Sequence, residues 1–429
     1  MRVLYLHQYF TTPDMVGGTR SYEMARRLVE MGHTVHLITS DREARSTRRR
    51  QWRHETVAGI DVHWVPVPYS NHLGHGDRMR AFVDFARRAA THAVALGGDV
   101  VFATSTPLTI AIPGIYASRA LKVPMVFEVR DLWPEVPIAV GALQHPLLIA
   151  AARWLERTAY RHATEVVALS PGIGQGVVKA GMPDERVSVI PNGCDSALFN
   201  VDPERGRAFR ARFPWLGERP LVVYGGTLGA VNAVGDMARI AAEMYRLDPE
   251  VRFLVVGSGR EEQRVRRTAA GLGVLDHNFF MIGSLPKHEM PDCLSAATVA
   301  TSLFVDLEAM WPNSANKFFD ALAARRPVMI NYGGWQADLL TETGAGIVVS
   351  PRDPVTAARH LHLLLNSPER LGKARCAADA LAAGPFDRDR LAAELLRVLE
   401  RALGASARVG VRVGRTPRTG ERPTPGSAA

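Results

Sequence analysis

Short apolar runs alternate with amphipathic helical stretches in two series separated by a polar bridge, and this alternation constrains the fold more than any single motif. The first series opens at residues 3–6, passes a Gly17-Gly18 loop and a helical stretch at about 19–31, and continues with a strand at 34–39. Further apolar runs stand at 99–103, 123–128, 165–169 and 187–190. After an arginine-rich bridge near 201–219 the pattern restarts at 221–224, with runs at 251–256, 278–282, 298–303, 327–330 and 346–349. Strands that alternate with helices form parallel sheets with right-handed crossovers. The expectation is an α/β chain of two Rossmann-like, doubly wound domains, 1–200 and 201–386, facing each other across a cleft. Ligands of such sheets lie beyond the carboxyl ends of the strands.

Within the second series, residues 316–335 read NKFFDALAARRPVMINYGGW. Asn316 and Lys317 fall at a helix start, where free N–H groups and the positive dipole end favour phosphate. Lys317 adds a point charge. Asp320, one turn on, has the oxygens to accept hydrogen bonds from a pair of ribose hydroxyls. Phosphate at the tip and sugar hydroxyls one turn down describe a nucleoside diphosphate; a generic helix behind a buried strand is the plain alternative. The stretch resembles the nucleotide-sugar motif of family 4 glycosyltransferases, enzymes of the GT-B fold, and most resembles the bacterial branch that builds surface polysaccharides. The likeness runs over roughly residues 1–400.

The resemblance implies roles for other residues. The Gly17-Gly18 loop would close over the donor phosphates. In GGTLGAVNAV (225–234) most of the family has an Arg after a Gly and a Lys five residues later; Thr227 and Asn232 hold those places here. Phosphate binding would then rest on the amides around Gly226, on Lys317 and on Arg260. Asp320 matches the second of the family's paired glutamates, and Pro312 stands where the first would be. Asn313, Ser314 or Asn316 would replace it at the donor sugar, with Glu308 more distant, and Trp335 would either line the sugar pocket or pack. Gly283 to Leu285 would read the nucleobase through main-chain groups. In FEVRDLWPE (127–135) Arg130 would contact an anionic group and Asp131 would position or deprotonate an acceptor hydroxyl, the alternative being a structural Arg130–Asp131 pair. Retention of configuration is implied, with catalysis resting on stabilisation of the leaving diphosphate.

Composition narrows the partners. No run of eighteen apolar residues occurs and the N-terminus enters a strand directly, so neither a transmembrane helix nor a signal peptide is expected. Cys194, Cys293 and Cys376 lack metal-ligand spacing and are expected to be buried thiols in a reducing cytoplasm. Asp387 and Asp389 read as surface, and His7 and His288 as residues near cleft ends among otherwise scattered histidines. No metal and no cofactor is expected. The net charge of +9 concentrates in residues 42–53, with six arginines, and in 405–429, with five arginines against Glu421. The tail is expected to be disordered. With no nucleic-acid module in view, the basic clusters suit an anionic membrane face or a plain solvated loop. The stretch 78–96, with Phe82, Phe85, Ala86 and Ala89 at helical spacing, is either a membrane-facing helix or core. A terminal helix at about 387–403 is implied to pack back on the first domain. The expected activity is transfer of a hexosyl or N-acetylhexosaminyl group from a UDP-sugar to a lipid-linked or oligosaccharide acceptor, in the cytoplasm or peripherally at the inner membrane face. Alternatives are a UDP-N-acetylglucosamine 2-epimerase and a non-catalytic scaffold.

Overall fold

The computed structural model describes residues 1–15, 17–41, 52–67 and 75–413. The first half contains β1 (Arg2–Leu6), α1 (Arg20–Glu30), β2 (Thr34–Ser40), β3 (Arg53–Val57), β4 (Ile60–Val65), α2 (His75–Leu96), β5 (Val100–Thr104) and α3 (Ala111–Leu121). It continues with β6 (Met125–Val129), α4 (Glu135–Ala139), α5 (Pro146–His162), β7 (Glu165–Ala168), α6 (Pro171–Lys179) and β8 (Val187–Val189). Two short helices, α7 (Ser196–Phe199) and α8 (Pro203–Ala211), lead into the second half. There follow β9 (Leu221–Gly225), α9 (Val234–Leu247), β10 (Arg252–Val256), α10 (Glu262–Gly271), β11 (Phe279–Ile282), α11 (Met290–Ala296) and β12 (Val299–Ser302). The chain closes with α12 (Asn316–Ala323), β13 (Val328–Ile330), α13 (Trp335–Thr343), β14 (Gly346–Val348), α14 (Pro354–Leu365), α15 (Pro368–Ala383) and α16 (Arg388–Val413).

These strands form two sheets, as the alternation requires. The first has eight strands in the order β3-β4-β2-β1-β5-β6-β7-β8, parallel except where β3 runs against β4. The second has six parallel strands in the order β11-β10-β9-β12-β13-β14, the doubly wound order with its reversal between β9 and β12. Apolar clusters cover both faces of each sheet. The expected pair of parallel-sheet α/β domains is therefore present.

Several local expectations change. The β3–β4 hairpin turns at Ala58 and Gly59, both with positive φ; β3 lies largely exposed at the sheet edge, so it lacks the apolar signature of the other strands. Phe85, Ala86 and Ala89 are buried against the first sheet, which assigns that face of α2 to the core and not to a membrane. The last helix continues to Val413, so the first part of the expected tail is helical. Residues 42–51 and 414–429 lie outside the described residues, along with most of the basic clusters. Cys194 and Cys293 are buried, whereas Cys376 is exposed.

Candidate functional site

Strand β12 ends at the sheet's reversal, and the chain returns through the loop 303–315 to start α12 at the mouth of the cleft. Phe318, Phe319 and Leu322 anchor α12 in the core, while Asn316, Lys317 and Asp320 are half-buried and Asn316 lines the cleft. Lys317 Nζ donates to Tyr224 Oη and to Asn232 Oδ1, each at 3.0 Å, and lies over the Tyr224 ring. Tyr224 in turn donates to the Thr227 carbonyl at 2.9 Å. These partners are neutral, and burial brings the Lys317 ammonium down to about 7. A β-carbon on Gly226 would stand 3.5 Å from Lys317 Cε, so the loop after β9 lies directly against the lysine. Asn232, at the place where the family resemblance implies a second lysine, instead accepts from this one.

One turn further, Asp320 Oδ2 accepts from Lys287 Nζ at 2.6 Å, while Oδ1 is buried without a partner. An orphaned carboxylate oxygen at this position is an open acceptor. Gly283 is exposed and Leu285 half-buried on the loop after β11, and Ser284 meets Ser258 at 2.9 Å between hydroxyls. Gly257 has φ +154°, and a β-carbon there would fall 1.9 Å from the Gly226 carbonyl oxygen, so the loops after β9 and β10 touch backbone to backbone. Arg260 and Thr227 are exposed at their tips.

The first domain supplies the other wall. A cleft of about 380 Å³ is lined by His7, Gly18, Arg130 and Asp131 on one side and by Phe304 and Asn316 on the other. Gly17 has φ +148°, and a β-carbon on Gly18 would sit 2.6 Å from Asn316 Nδ2. The Gly17-Gly18 loop and the start of α12 therefore meet, and only a glycine fits at 18 without displacement. Arg130 Nη1 bonds His7 Nε2 at 3.1 Å. Burial raises the Asp131 carboxyl above its ordinary range against the opposing charge of Arg130 and the hydrogen bond from Thr106, so the carboxyl holds a proton more readily than an exposed aspartate does.

The structure brings Gly17, Gly18, Arg130, Asp131 and Asn316 together around the cleft, and Gly226, Asn232 and Lys317 immediately beside it. All three candidates for the donor sugar line the cleft. Asn313 also bonds within its own loop, to the Met310 carbonyl and the Ala315 amide, and Ser314 Oγ accepts from the Asn192 backbone amide at 3.0 Å, whereas Asn316 stands against the Gly17-Gly18 loop; Glu308 is exposed. Trp335 packs among Phe318, Phe319 and Phe386 and donates to the Asn313 carbonyl, so it supports the loop. The buried ion pair of this region is Arg20–Glu128 at 2.8 Å, wholly enclosed, rather than Arg130–Asp131. Burial of Glu128 is outweighed by Arg20, Arg130 and the hydrogen bonds it accepts, which hold it below its usual value.

Sequence reasoning missed Lys287, Tyr224 and Asn192, whose contacts span from 33 to 122 residues along the chain. Nor are the histidines all scattered: His36, His63 and His92 form a chain with ring nitrogens 3.4 and 3.1 Å apart, beside His54. Burial pushes His63 to about 4, so the cluster is not a bank of charge at neutral pH. Among the described residues no group of histidine, cysteine or carboxylate side chains is arranged to hold a metal ion. Asp389 pairs with Arg27 at 2.5 Å, and Asp387 caps the amide of Arg390 at 2.9 Å.

Two sequence families match this chain in tandem: "Glycosyl transferase 4-like domain" over residues 17–193 and "Glycosyl transferases group 1" over residues 219–367. The chain belongs to the GT-B glycosyltransferases. The matched segments cover the two sheets apart from β1 and leave the crossover at 194–218 between them. An alpha-D-kanosaminyltransferase of Streptomyces kanamyceticus is 26% identical over 59% of this glycosyltransferase, and the match spans 64% of that relative's length. A GDP-mannose-dependent alpha-(1-6)-phosphatidylinositol monomannoside mannosyltransferase of Mycobacterium tuberculosis is 25% identical, covering 92% of this chain and 97% of its own. Among solved structures, HepE of Anabaena in complex with UDP and glucose superposes with a TM-score of 0.69 at 17% identity, covering 94% of this chain and all of that one. Sucrose-phosphate synthase of Thermosynechococcus elongatus gives 0.75 at 16% identity, over 94% and 99%. At these identities the superpositions establish the fold.

Proposed function

We propose that this glycosyltransferase moves a hexosyl or N-acetylhexosaminyl group from a UDP-sugar to a lipid-linked or oligosaccharide acceptor, with retention of configuration. It would act in the cytoplasm, peripherally at the inner membrane face. The observation that carries the reading is the spacing of Lys317 and the open Asp320 oxygen, one helical turn apart on α12. The Gly226 loop stands behind Lys317 and the Gly17-Gly18 loop meets the same helix start. In this reading the ribose hydroxyls meet Asp320 and the diphosphate meets Lys317, the α12 amides and the Gly226 and Thr227 amides. Arg260 adds charge from the loop tip, and the base rests against the 283–285 backbone. As the bond from the anomeric carbon to the diphosphate breaks, negative charge grows on the phosphate oxygens, and these donors stabilise it where water is scarce. Asp131 receives the acceptor hydroxyl, with Arg130 beside it, and Asn316 holds a hydroxyl of the donor sugar.

Donor choice has a second reading with its own support, because the mycobacterial relative covered almost end to end is named as GDP-mannose-dependent. Thermal stabilisation against UDP, GDP, ADP, UDP-sugars and GDP-mannose separates the two, since a ligand that binds only the folded state raises its melting temperature in step with affinity. The expected result is a shift selective for uridine nucleotides that Asp320→Ala abolishes. A shift confined to guanine nucleotides would overturn the UDP assignment, and no shift with any nucleotide would favour a scaffold.

A further inference from the structure

Helices α2, α3 and α5 cover one face of the first sheet, sharing a single apolar cluster with β1, β5 and β6. Their outer surfaces therefore point the same way, and they are unusually apolar for solvent-facing helices. Val83 on α2, Ile112 and Tyr116 on α3, and Leu147, Leu148 and Trp154 on α5 are all exposed, Leu147 by 74% and Trp154 by 64%. On the second domain the exposed large apolar residues are instead spread over α9, α14 and separate loops. Single exposed apolar side chains need no explanation, but a contiguous set marks an interaction surface.

The charge around this set is one-sided. Arg87, Arg119, Arg157 and Arg161 are exposed, and among the described residues none of them pairs with a carboxylate. The acids nearby are otherwise engaged: Asp84 with Arg88 at 2.9 Å, Asp77 near Arg80 at 3.8 Å, and Glu135 with Arg153 at 3.4 Å. Glu156 faces inward to Tyr160. Beside α5 lies a groove of about 800 Å³ whose lining includes Arg153, Trp154, Arg157 and Arg161. Leucines and a tryptophan ringed by arginines are the composition of a helix lying in the plane of an anionic lipid interface. A protein partner would be expected to bury the apolar set behind a neutral core, with charges depleted there.

We propose that the outer face of α2, α3 and α5 docks onto an anionic lipid bilayer, with the groove beside α5 receiving lipid phosphate groups. Leu147, Leu148 and Trp154 enter the acyl boundary while the arginines stay at the phosphate level. The Glu135–Arg153 pair ties the segment that leaves the cleft at Asp131 to α5, so docking holds the acceptor side of the cleft next to the membrane. The proposal deepens the reading above by naming the surface that would meet a lipid-linked acceptor, and its test does not measure transfer.

The full chain is sedimented with vesicles of phosphatidylcholine alone and of phosphatidylcholine mixed equally with phosphatidylglycerol. Wild type is expected to pellet with the anionic vesicles and stay in solution with the neutral ones. Arg157→Glu with Arg161→Glu lowers the partition by about thirtyfold or more, at about a factor of five per basic side chain near the surface. Leu147→Ser, Leu148→Ser and Trp154→Ser together abolish it, whereas Leu363→Ser on α14 leaves it unchanged. All variants change exposed positions and should keep the wild-type melting temperature and nucleotide response, which separates failure of docking from failure of the donor site. The proposal falls if wild type does not pellet, or if both variants pellet like wild type. It falls equally if the serine variant instead dissociates a solution dimer, since a second copy would then be the occupant.

Discussion

Lys317 shows how one side chain sets both a cost and a function. Its ammonium is held by a phenol and an amide, with no carboxylate, and burial brings it down to about 7. Because this lies below the value of 10.5 for an exposed lysine, enclosing the charge costs folding stability below pH 7. The cost fades as pH rises toward the unfolded value. A diphosphate reverses the preference, since it favours the charged form. The diphosphate of a nucleotide-sugar keeps both charges between pH 6 and 9, so within the lysine–diphosphate pair only Lys317 titrates in that range. Donor affinity is expected to be constant below about pH 7 and to fall by up to about tenfold per unit above it, where binding must draw in a proton. Calorimetric titration of a UDP-sugar across this range measures the slope. Lys317→Met should remove the pH dependence, weaken binding at every pH and raise the melting temperature of the unliganded protein at pH 6. A pH slope that survives in Lys317→Met would assign the titration to another group.

At the scale of elements, the site depends on loops and helix ends meeting closely, and this decides what the sequence could reveal. Apart from β3 and β4, which were not among the expected strands, the strands, α12 and the placement of Gly17-Gly18 between β1 and α1 were legible, because buried strands and helix starts write their signals locally. So was the pairing of Lys317 and Asp320 on one face, which follows from helical spacing. The Lys287–Asp320 ion pair, the Asn192–Ser314 contact and the identity of the free amide at Asn316 were not, because each is decided by how distant segments pack. The exposed β3 was missed, and the apolar face of α2 was left open between core and membrane, for a related reason: a polar edge strand carries little signal, and an amphipathic helix looks alike whether its apolar face meets a sheet or a lipid. The Gly18–Asn316 contact gives a test at this scale. Gly18→Ala places a methyl group 2.6 Å from Asn316 Nδ2, so the Asn316 amide must swing out of its position at the cleft or the loop must withdraw from α12. Its effect should be about tenfold or more on turnover, since small misplacements in a positioned site are costly. Nucleotide affinity should change little, because Lys317, Asp320 and the 283–285 loop proposed to meet the base are untouched. Equal losses in both would mean that Gly18 serves the fold of the second domain.

For the whole molecule, α16 is the element that keeps the two domains in register. It starts at the crossover, where the Cys194 amide donates to the Phe386 carbonyl at 2.7 Å and Arg388 Nη2 donates to the Gly193 carbonyl at 2.5 Å. It then buries Leu391, Leu395, Val398 and Leu399 against the first sheet. Loops meet alongside it, with Ser170 Oγ donating to the Pro312 carbonyl at 2.5 Å and Asn192 donating twice to Ser314, its backbone N–H to Oγ and its side-chain amide to the carbonyl. A chain tied in this way should unfold in one transition even though each sheet has its own cores. Leu395→Ala removes a wholly buried side chain from the strap, at a cost of about 2–5 kcal/mol, and that loss falls on the first domain. Calorimetry of this variant should therefore resolve two transitions, the first domain melting earlier. The proposed donor-binding residues lie mostly on the second domain, so a UDP-sugar should shift mainly the later transition in the variant, while in the wild type it shifts the single transition. If the variant keeps one transition that the nucleotide moves as in wild type, the loop contacts, and not α16, couple the domains. Ser170→Ala with Asn192→Ala would then be the change that separates them.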